Sequence, residues 1–366
     1  MELGIILLIL FIVILWCNCS NSNTTENLTN VEYSCTTKNK LLDEIIKQRY
    51  DNQDINNTEK NDIYIPCSYN YCEKEAKSFE NNKGKKIFVI DGCDVLASKI
   101  TLWKVLKDKF GINATSYMPL THILEEEMDL NNFISHYKQN KDQMYILKNF
   151  KQRQEGIKIT KDLDEILNGV KNGWYLVQDY LYDPFLVDKR KTNFRYYLLI
   201  ICFNGDIKGY IHNNGFVYYT PEYYDKKSSD FKKHITTGYI DRKIYDKNPL
   251  TIEDFRKYLD NDKKGNSNIW DKNINELFYN IMCALSDNIC NNKKLDETIR
   301  FQLFGCDIQP DSKLNVKLIE INKGPDLGAK DERDKQVKRK VQEDVLKIVD
   351  PQYINEDQQT QFIRIY

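Results

Sequence analysis

Histidine and glycine are scarce in this 366-residue chain, and neither sign of charge is in excess. Only four histidines are present, which argues against a multi-histidine metal centre. Lys and Arg number 53 and Asp and Glu number 54, so the net charge of −1 excludes nucleic-acid binding through bulk positive charge. The 15 glycines form no G-x-x-x-x-G-K-[ST] phosphate loop, and the 10 cysteines form no paired C-x-x-C zinc arrangement.

Hydrophobic residues make up 41% of the chain and the mean hydropathy is −0.61, which is typical of a soluble globular protein. The exception is an unbroken apolar run at residues 3–17, LGIILLILFIVILWC. It has the length of a signal-peptide core and falls a little short of the roughly 20 residues that cross a bilayer. We therefore predict that residues 1–19 form an N-terminal hydrophobic segment. It is expected to be a membrane signal anchor, with a cleaved signal peptide as the alternative.

Polar residues dominate the next segment. Residues 20–84 are rich in Asn, Ser, Thr, Glu and Lys and are predicted to be a polar tether with a helix near Lys40–Tyr50. The folded body is predicted over 85–350, and a C-terminal tail over 351–366.

Within this body, apolar strands alternate with amphipathic helices, which predicts a mixed α+β fold in several lobes. The strands are predicted at 85–92, 144–148, 157–160, 174–180, 194–203, 207–212, 301–308 and 316–322, and the longer helices at 97–110, 125–139, 251–259, 274–290 and 330–349. The cysteines after Cys72 lie among these segments and are predicted to be small buried hydrophobes.

Three oxygen-bearing side chains end two neighbouring apolar strands. Asp307 ends FQLFGCDI, and Glu320 and Asn322 end VKLIEIN. Side chains two residues apart on a strand share a face, and Asp307 can face them from the paired strand. Two carboxylates and an amide oxygen make a site suited to Mg²⁺. Solvated strand ends are the alternative, but the apolar neighbours indicate buried strands, where a carboxylate needs a partner.

Cations at strand ends form a second group of candidates. Lys148 ends the apolar strand MYILK, where its ammonium must reach an anion, and Arg153 lies in the following loop. Lys191 and Arg195 stand at alternate positions of a later strand segment and so share one face, which suits a phosphate in transfer. The structural alternative is a lysine or arginine that packs its aliphatic stem at a strand end and keeps its charge in water.

The order of these features resembles the tubulin–tyrosine ligase-like family of ATP-grasp enzymes. The segments that carry the resemblance are YILKNFKQRQEGIKI, VQDYLYDPFLVDKRKTNFRYYLLI, HITTGYI and FQLFGCDIQPDSKLNVKLIEINKGPDL. The resemblance covers residues 88–350 and makes the body a ligase-like catalytic domain. It implies a three-lobed ATP-grasp fold that holds the nucleotide between two β-sheets. The implied enzyme activates a carboxylate with ATP as an acyl phosphate, which an amine then attacks.

The resemblance also assigns site residues by position. It implies that Asp307, Glu320 and Asn322 hold Mg²⁺ and that Lys191 and Arg195 act in catalysis. The residues that it places around ATP are Lys99, Lys148, Arg153, Gln178, Tyr180, Leu181, Lys191, Arg195 and Thr236. Among these, the backbone of Tyr180 and Leu181 matches the adenine hinge. Such a set fits a reaction that needs phosphate charge neutralised and little else from side chains.

Three positions depart from the family pattern on the acceptor and amino-acid side. Asn193 replaces an acidic residue, Tyr218 replaces an arginine and Thr237 replaces an amide. Two classes of function therefore stay open: an ATP-dependent ligase that adds an amino acid to a protein, and a catalytically weak ATP-binding or protein-binding module. The intact magnesium set favours the ligase, and the three departures favour the module. An ATP-grasp ligase for a small peptide is a further alternative.

The predicted cofactors are ATP and Mg²⁺. The predicted partners are a free amino acid, a protein acceptor for which tubulin is the candidate, and a membrane through the N-terminal segment; no nucleic acid is expected. ATP and tubulin are cytosolic, whereas the early cysteines and Asn-x-Ser/Thr sequons indicate a lumen. We expect a chain anchored by its N-terminus with its catalytic body in the cytosol, and a secreted or luminal form is the alternative.

Overall fold

The computed structural model describes residues 30–33, 40–49, 61–65, 74, 77–80, 85–149, 156–263, 266–350 and 359–366. The strands are β1 (Asn30–Tyr33), β2 (Asn61–Ile65), β3 (Lys86–Ile87), β4 (Thr121–Ile123), β5 (Tyr145–Lys148), β6 (Ile157–Thr160), β7 (Leu176–Asp179), β8 (Leu186–Val187), β9 (Arg190–Phe203), β10 (Asp206–His212), β11 (Phe216–Tyr219), β12 (Ile299–Pro310), β13 (Val316–Asn322) and β14 (Phe362–Arg364). The helices are α1 (Lys40–Arg49), α2 (Cys93–Ala97), α3 (Lys99–Phe110), α4 (Glu127–Gln139), α5 (Leu163–Leu167), α6 (Phe231–His234), α7 (Ile252–Lys263), α8 (Ser267–Leu285) and α9 (Glu332–Val349).

The larger sheet has ten strands within the described residues. Its path runs β1-β2-β3-β12-β9-β10-β14, while β8 and β11 also pair with β9, and β13 pairs with β12. Strand β9 lies in the interior of the sheet because its apolar run FRYYLLIICF can bury both faces. Asn204 and Gly205 then turn the chain into β10, with φ angles of 49° and 81° that suit a two-residue hairpin turn.

The smaller sheet has the order β4-β7-β5-β6 and a hydrophobic core of its own. That core consists of Leu124, Phe133, Tyr145, Leu147, Ile166 and Val177. A much larger buried cluster packs against the ten-stranded sheet. The mixed α+β fold with two sheets is therefore confirmed. The finer arrangement of three lobes stays a prediction.

The expected transmembrane segment is corrected by the structure. Over the described parts of the chain, no helix is both long enough and apolar enough to cross a bilayer. The apolar run at residues 3–17 lies outside the described residues. Neither a membrane-spanning segment nor a membrane partner is therefore retained.

Two segments predicted as tether and tail contribute to the larger sheet. Strands β1 and β2 and helix α1 fall within 20–84, and β14 falls within 351–366, where it pairs with β10. The polar composition of the two segments did not predict these strands, because a short strand needs only a few apolar side chains. The predicted domain boundaries themselves stay predictions.

One pair of cysteines departs from the predicted role of small buried hydrophobes. Cys202 at the end of β9 and Cys290 after α8 form a disulfide, with their Cα atoms 6.3 Å apart. Cys93 and Cys306 are buried, as predicted. Spacing in the sequence could not show the bond, since the two cysteines are separated by 88 residues.

Helix α8 is held to the sheet by Trp270. The side chain is fully buried, its Nε1 donates to the Tyr196 hydroxyl at 2.9 Å, and its ring centroid lies 4.6 Å from that of Phe194. An indole in such a place fills a large volume and satisfies its one donor at the same time.

We predict that Trp270→Ala lowers the free energy of unfolding by about 3–5 kcal/mol, because a large cavity and an unpaired hydroxyl would remain. Tyr279→Ala on the same helix is the control, since Tyr279 is 51% exposed. Its expected effect is within about 0.5 kcal/mol. Urea denaturation followed by circular dichroism measures both, and equal losses would contradict this role of Trp270.

Candidate active site

Three adjacent strands place charged side chains side by side. The pairing of β9, β12 and β13 sets Asp307 directly opposite Arg195 on one side and Glu320 on the other. Asn322 lies two residues beyond Glu320, and its Nδ2 donates to Glu320 Oε1 at 3.2 Å. The structure thus brings together the three residues that the sequence assigns to Mg²⁺.

Both carboxylates are paired with cations of the chain. Arg195 donates through Nε to one oxygen of Asp307 at 2.8 Å and through Nη2 to the other at 3.1 Å. Lys99 Nζ, from the start of α3, lies 3.3 Å from Glu320 Oε2. Burial opposes the charge of Glu320, but Lys99 and Lys148 outweigh it and lower the pKa of Glu320 to about 2. Glu320 is therefore an anion at neutral pH.

Two buried lysines reach this region from different sheets. Lys148 ends β5 of the smaller sheet, is 3% exposed, and has no hydrogen-bond partner for its Nζ among the described residues. Lys191 belongs to β9 of the larger sheet, is 4% exposed, and donates to the Tyr180 hydroxyl at 3.4 Å. Burial lowers the pKa of Lys148 to about 8. Burial, and then the charge of Lys148, lowers the pKa of Lys191 to about 7.

These lysines fit a ligand with several negative charges. A buried ammonium without an anion costs several kcal/mol, so a bound polyanion would relieve this cost. Glu320 and Asp307 act favourably on Lys148 through their charges, which places the lysine near the carboxylates. Phosphate groups held between the two sheets would meet both lysines.

The donor set of Asp307, Glu320 and Asn322 fits Mg²⁺. Two carboxylates and an amide are the few protein ligands that Mg²⁺ takes when phosphates and water complete its shell. In the part of the chain that the structure describes, no three His, Cys, Asp or Glu side chains group to hold a metal. The set therefore suits an ion that is shared with a phosphate ligand.

Other predicted nucleotide residues lie around β7. Gln178 is buried, and its Nε2 donates to Thr121 Oγ1 at 2.8 Å. The backbone N–H of Tyr180 donates to the Met144 carbonyl at 3.3 Å, so this donor is occupied. Leu181 follows immediately and is half-buried. The hydrogen bond of Gln178 thus joins β7 to β4. The roles of Tyr180 and Leu181 as an adenine hinge stay predictions.

The side chain of Tyr180, which follows β7, contacts His234 at the end of α6. Its hydroxyl and His234 Nδ1 are 2.7 Å apart, and the ring lies 4.5 Å from Lys191 Nζ. Thr236 follows two residues after His234 and is half-buried. His234 was not predicted from the sequence, although HITTGYI contains it. Arg153 lies outside the described residues.

The sequence analysis also missed Lys330. Its Nζ donates to the Gly238 carbonyl at 2.7 Å, and a side chain at Gly238 would meet both Lys330 Nζ and the Tyr218 ring. Burial raises the pKa of Tyr218 to about 12, so its phenol is neutral. Where the resemblance leads one to expect an arginine, the chain has a neutral tyrosine with Lys330 close by. Lys330 carries no motif that could have identified it.

The chain is similar to known proteins over most of the described body. The model of the tubulin-tyrosine ligase family matches residues 77–360. Tubulin glycylase 3B of Drosophila melanogaster is 24% identical over 220 residues, which are 56% of this chain and 29% of that protein. Probable tubulin polyglutamylase ttll-9 of Caenorhabditis elegans is 25% identical over 262 residues, 67% of this chain and 61% of the relative.

A third relative is the probable tubulin polyglutamylase TTLL2 of Mus musculus. It is 26% identical over 275 residues, which are 68% of this chain and 47% of the relative. The matched regions thus span between 29% and 61% of the length of these three proteins.

We predict that ADP binds more weakly as pH rises from 7 to 9.5. Lys148 and Lys191, with pKa values of about 8 and about 7, lose their protons over this range and bind phosphate only when protonated. The loss is at most about tenfold per pH unit for each group. Isothermal titration calorimetry measures it. Lys148→Met should bind ADP more weakly and flatten the profile, whereas Lys104→Met, a half-exposed lysine of α3, should keep it. An unchanged profile in Lys148→Met would contradict the assignment.

Proposed function

Because the chain belongs to the tubulin-tyrosine ligase family, we propose that it is an ATP-dependent ligase that joins an amino acid to a protein acceptor. The observation that carries the proposal is the buried Lys148, which has no partner among the described residues and lies near the carboxylates of Asp307 and Glu320. A phosphate-bearing ligand accompanied by a divalent cation would satisfy all three groups.

The proposed reaction has two steps. A substrate carboxylate attacks the γ-phosphoryl group of ATP, which gives an acyl phosphate and ADP. An amine then attacks the acyl carbon, an amide bond forms, and phosphate leaves. Asp307, Glu320 and Asn322 would hold Mg²⁺, which spreads the charge of the phosphates. Lys148 and Lys191 would neutralise the transferring phosphoryl group from opposite sheets.

The relatives support a tubulin-like acceptor. Those matched here carry the names tubulin glycylase and probable tubulin polyglutamylase. The two names imply different amino acids, glycine and glutamate, so we propose an amino-acid ligase without preference between them. Lys330 beside neutral Tyr218 supplies a cation on the acceptor side, which suits an anionic group of the amino acid or of the acceptor.

A second candidate is an ATP-binding module with little turnover. Tyr218 supports it, because a neutral phenol cannot replace the charge of the arginine expected there. A labelled-substrate assay separates the two candidates, since only a ligase incorporates label.

We propose that the catalytic body works in the cytosol, where ATP is supplied. The Cys202–Cys290 disulfide instead favours a luminal or secreted location, because disulfides persist mainly in oxidising compartments. Protection of the body from added protease in intact vesicles would contradict a cytosolic location.

We predict Mg²⁺- and ATP-dependent incorporation of labelled glycine or glutamate into assembled tubulin. Glu320→Gln should lower incorporation by at least about a hundredfold, because a carboxylate ligand of the ion is lost. Glu332→Gln, an exposed glutamate at the start of α9, is the matched control and should keep full activity.

The outcomes of this assay are distinct. Label in the wild type and in Glu332→Gln but not in Glu320→Gln supports the ligase. If no label appears but Mg·ATP still raises the melting temperature of the wild type, the binding module is favoured. If neither occurs, the nucleotide site itself is wrong.

A further inference from the structure

Arg195 is paired with the carboxylate of Asp307, which is one of the proposed ligands of the metal ion. Its guanidinium contacts both oxygens of Asp307, at 2.8 and 3.1 Å. A bidentate pair of this kind uses one lone pair of each carboxylate oxygen and neutralises the charge of the carboxylate. Mg²⁺ requires an oxygen at about 2.0–2.1 Å in near-octahedral geometry, and it would be repelled by the guanidinium beside it. Arg195 therefore competes with the ion for the negative charge of Asp307.

The Arg195–Asp307 ion pair is largely buried, so separating its two charges costs free energy. The Arg195 and Asp307 side chains are 15% and 11% exposed. A guanidinium taken from its carboxylate in such a place is an uncompensated buried charge unless another anion receives it. Gly305 makes room for the pair, since a side chain at Gly305 would meet the Arg195 Cδ and Nη1 atoms at 3.2 Å. The absence of a side chain there leaves the space that Arg195 occupies.

Tyr218 offers Arg195 a neutral aromatic neighbour. The Tyr218 ring centroid lies 5.9 Å from the Arg195 guanidinium carbon, within the range of a cation–π contact. The aromatic face can stabilise a moving guanidinium but cannot replace its lost carboxylate. Glu320 is close enough to interact with Arg195, but it is already paired with Lys99. A phosphate from a ligand would supply a further anion, and Lys148 and Lys191 favour the same anion.

We propose that Arg195 is a positioning residue that acts as an internal counter-ion, keeping a divalent cation off Asp307 until a phosphate-bearing ligand accepts its guanidinium. The divalent cation and the nucleotide then bind cooperatively. The nucleotide phosphate pairs with the displaced Arg195, and the cation pairs with the Asp307 carboxylate that Arg195 has left. This inference rests on the proposed function, since it takes ATP as the ligand. It adds an order of binding that the presence of the magnesium ligands does not by itself imply.

The test measures Mn²⁺ binding by electron paramagnetic resonance, with and without the non-hydrolysable analogue AMPPNP, on the full chain. In the wild type, AMPPNP should raise the Mn²⁺ affinity of the protein site at least about tenfold. Arg195→Gln should bind Mn²⁺ without nucleotide more tightly than the wild type does, and its coupling should fall to about threefold or less. Arg242→Gln, which removes a guanidinium from a surface pair with Asp331, should behave as the wild type.

Arg195→Lys provides a second variant if Arg195→Gln fails to fold. A lysine keeps the charge but cannot bind both oxygens, so the coupling should be intermediate between those of the wild type and Arg195→Gln. Equal coupling in the wild type and the Arg195 variants, with Mn²⁺ and AMPPNP both bound, would overturn the counter-ion role and leave the proposed function standing. If the wild type binds neither Mn²⁺ nor AMPPNP, the proposed function fails and this inference fails with it.

Discussion

The register of β9, β12 and β13 is the constraint on which the candidate site depends. It sets Arg195, Asp307 and Glu320 opposite one another across three strands, and Asn322 follows on the same face. Because side chains alternate along a strand, a slip of one residue would turn these groups to the opposite face of the sheet. Both faces of β9 and β12 are buried, so the close packing of individual side chains on each face holds that register. The core thus determines the chemistry of the site.

The candidate site contains a buried charged group, Lys148, that has no hydrogen-bond partner among the described residues. Arg195 and Lys99 neutralise the two carboxylates, while Lys148 stays buried without a partner among the described residues. The large hydrophobic cluster packed against the ten-stranded sheet offsets this cost. A polyanion with a divalent cation completes the balance. On this account, binding of the nucleotide and rearrangement of the ion pairs are one process.

The mixed α+β class and the closeness of Asp307, Glu320 and Asn322 could be predicted from the sequence, because two neighbouring apolar strands carry these side chains near their ends. Their role as magnesium ligands stays a prediction. The contacts of Gln178 and Tyr180 could not be predicted, since their partners Thr121, Met144 and His234 come from distant segments. Lys330 and the Cys202–Cys290 bond were missed for the same reason.

On this account, the two sheets hold a nucleotide whose phosphates share a divalent cation with Asp307, Glu320 and Asn322. A crystal structure with Mn²⁺ and a non-hydrolysable ATP analogue tests it most directly. The account predicts anomalous density for Mn²⁺ next to Asp307, Glu320 and Asn322. It also predicts phosphates within hydrogen-bond reach of Lys148 and Lys191, and Arg195 turned away from Asp307. Anomalous density elsewhere, or phosphates out of reach of both lysines, would contradict the account.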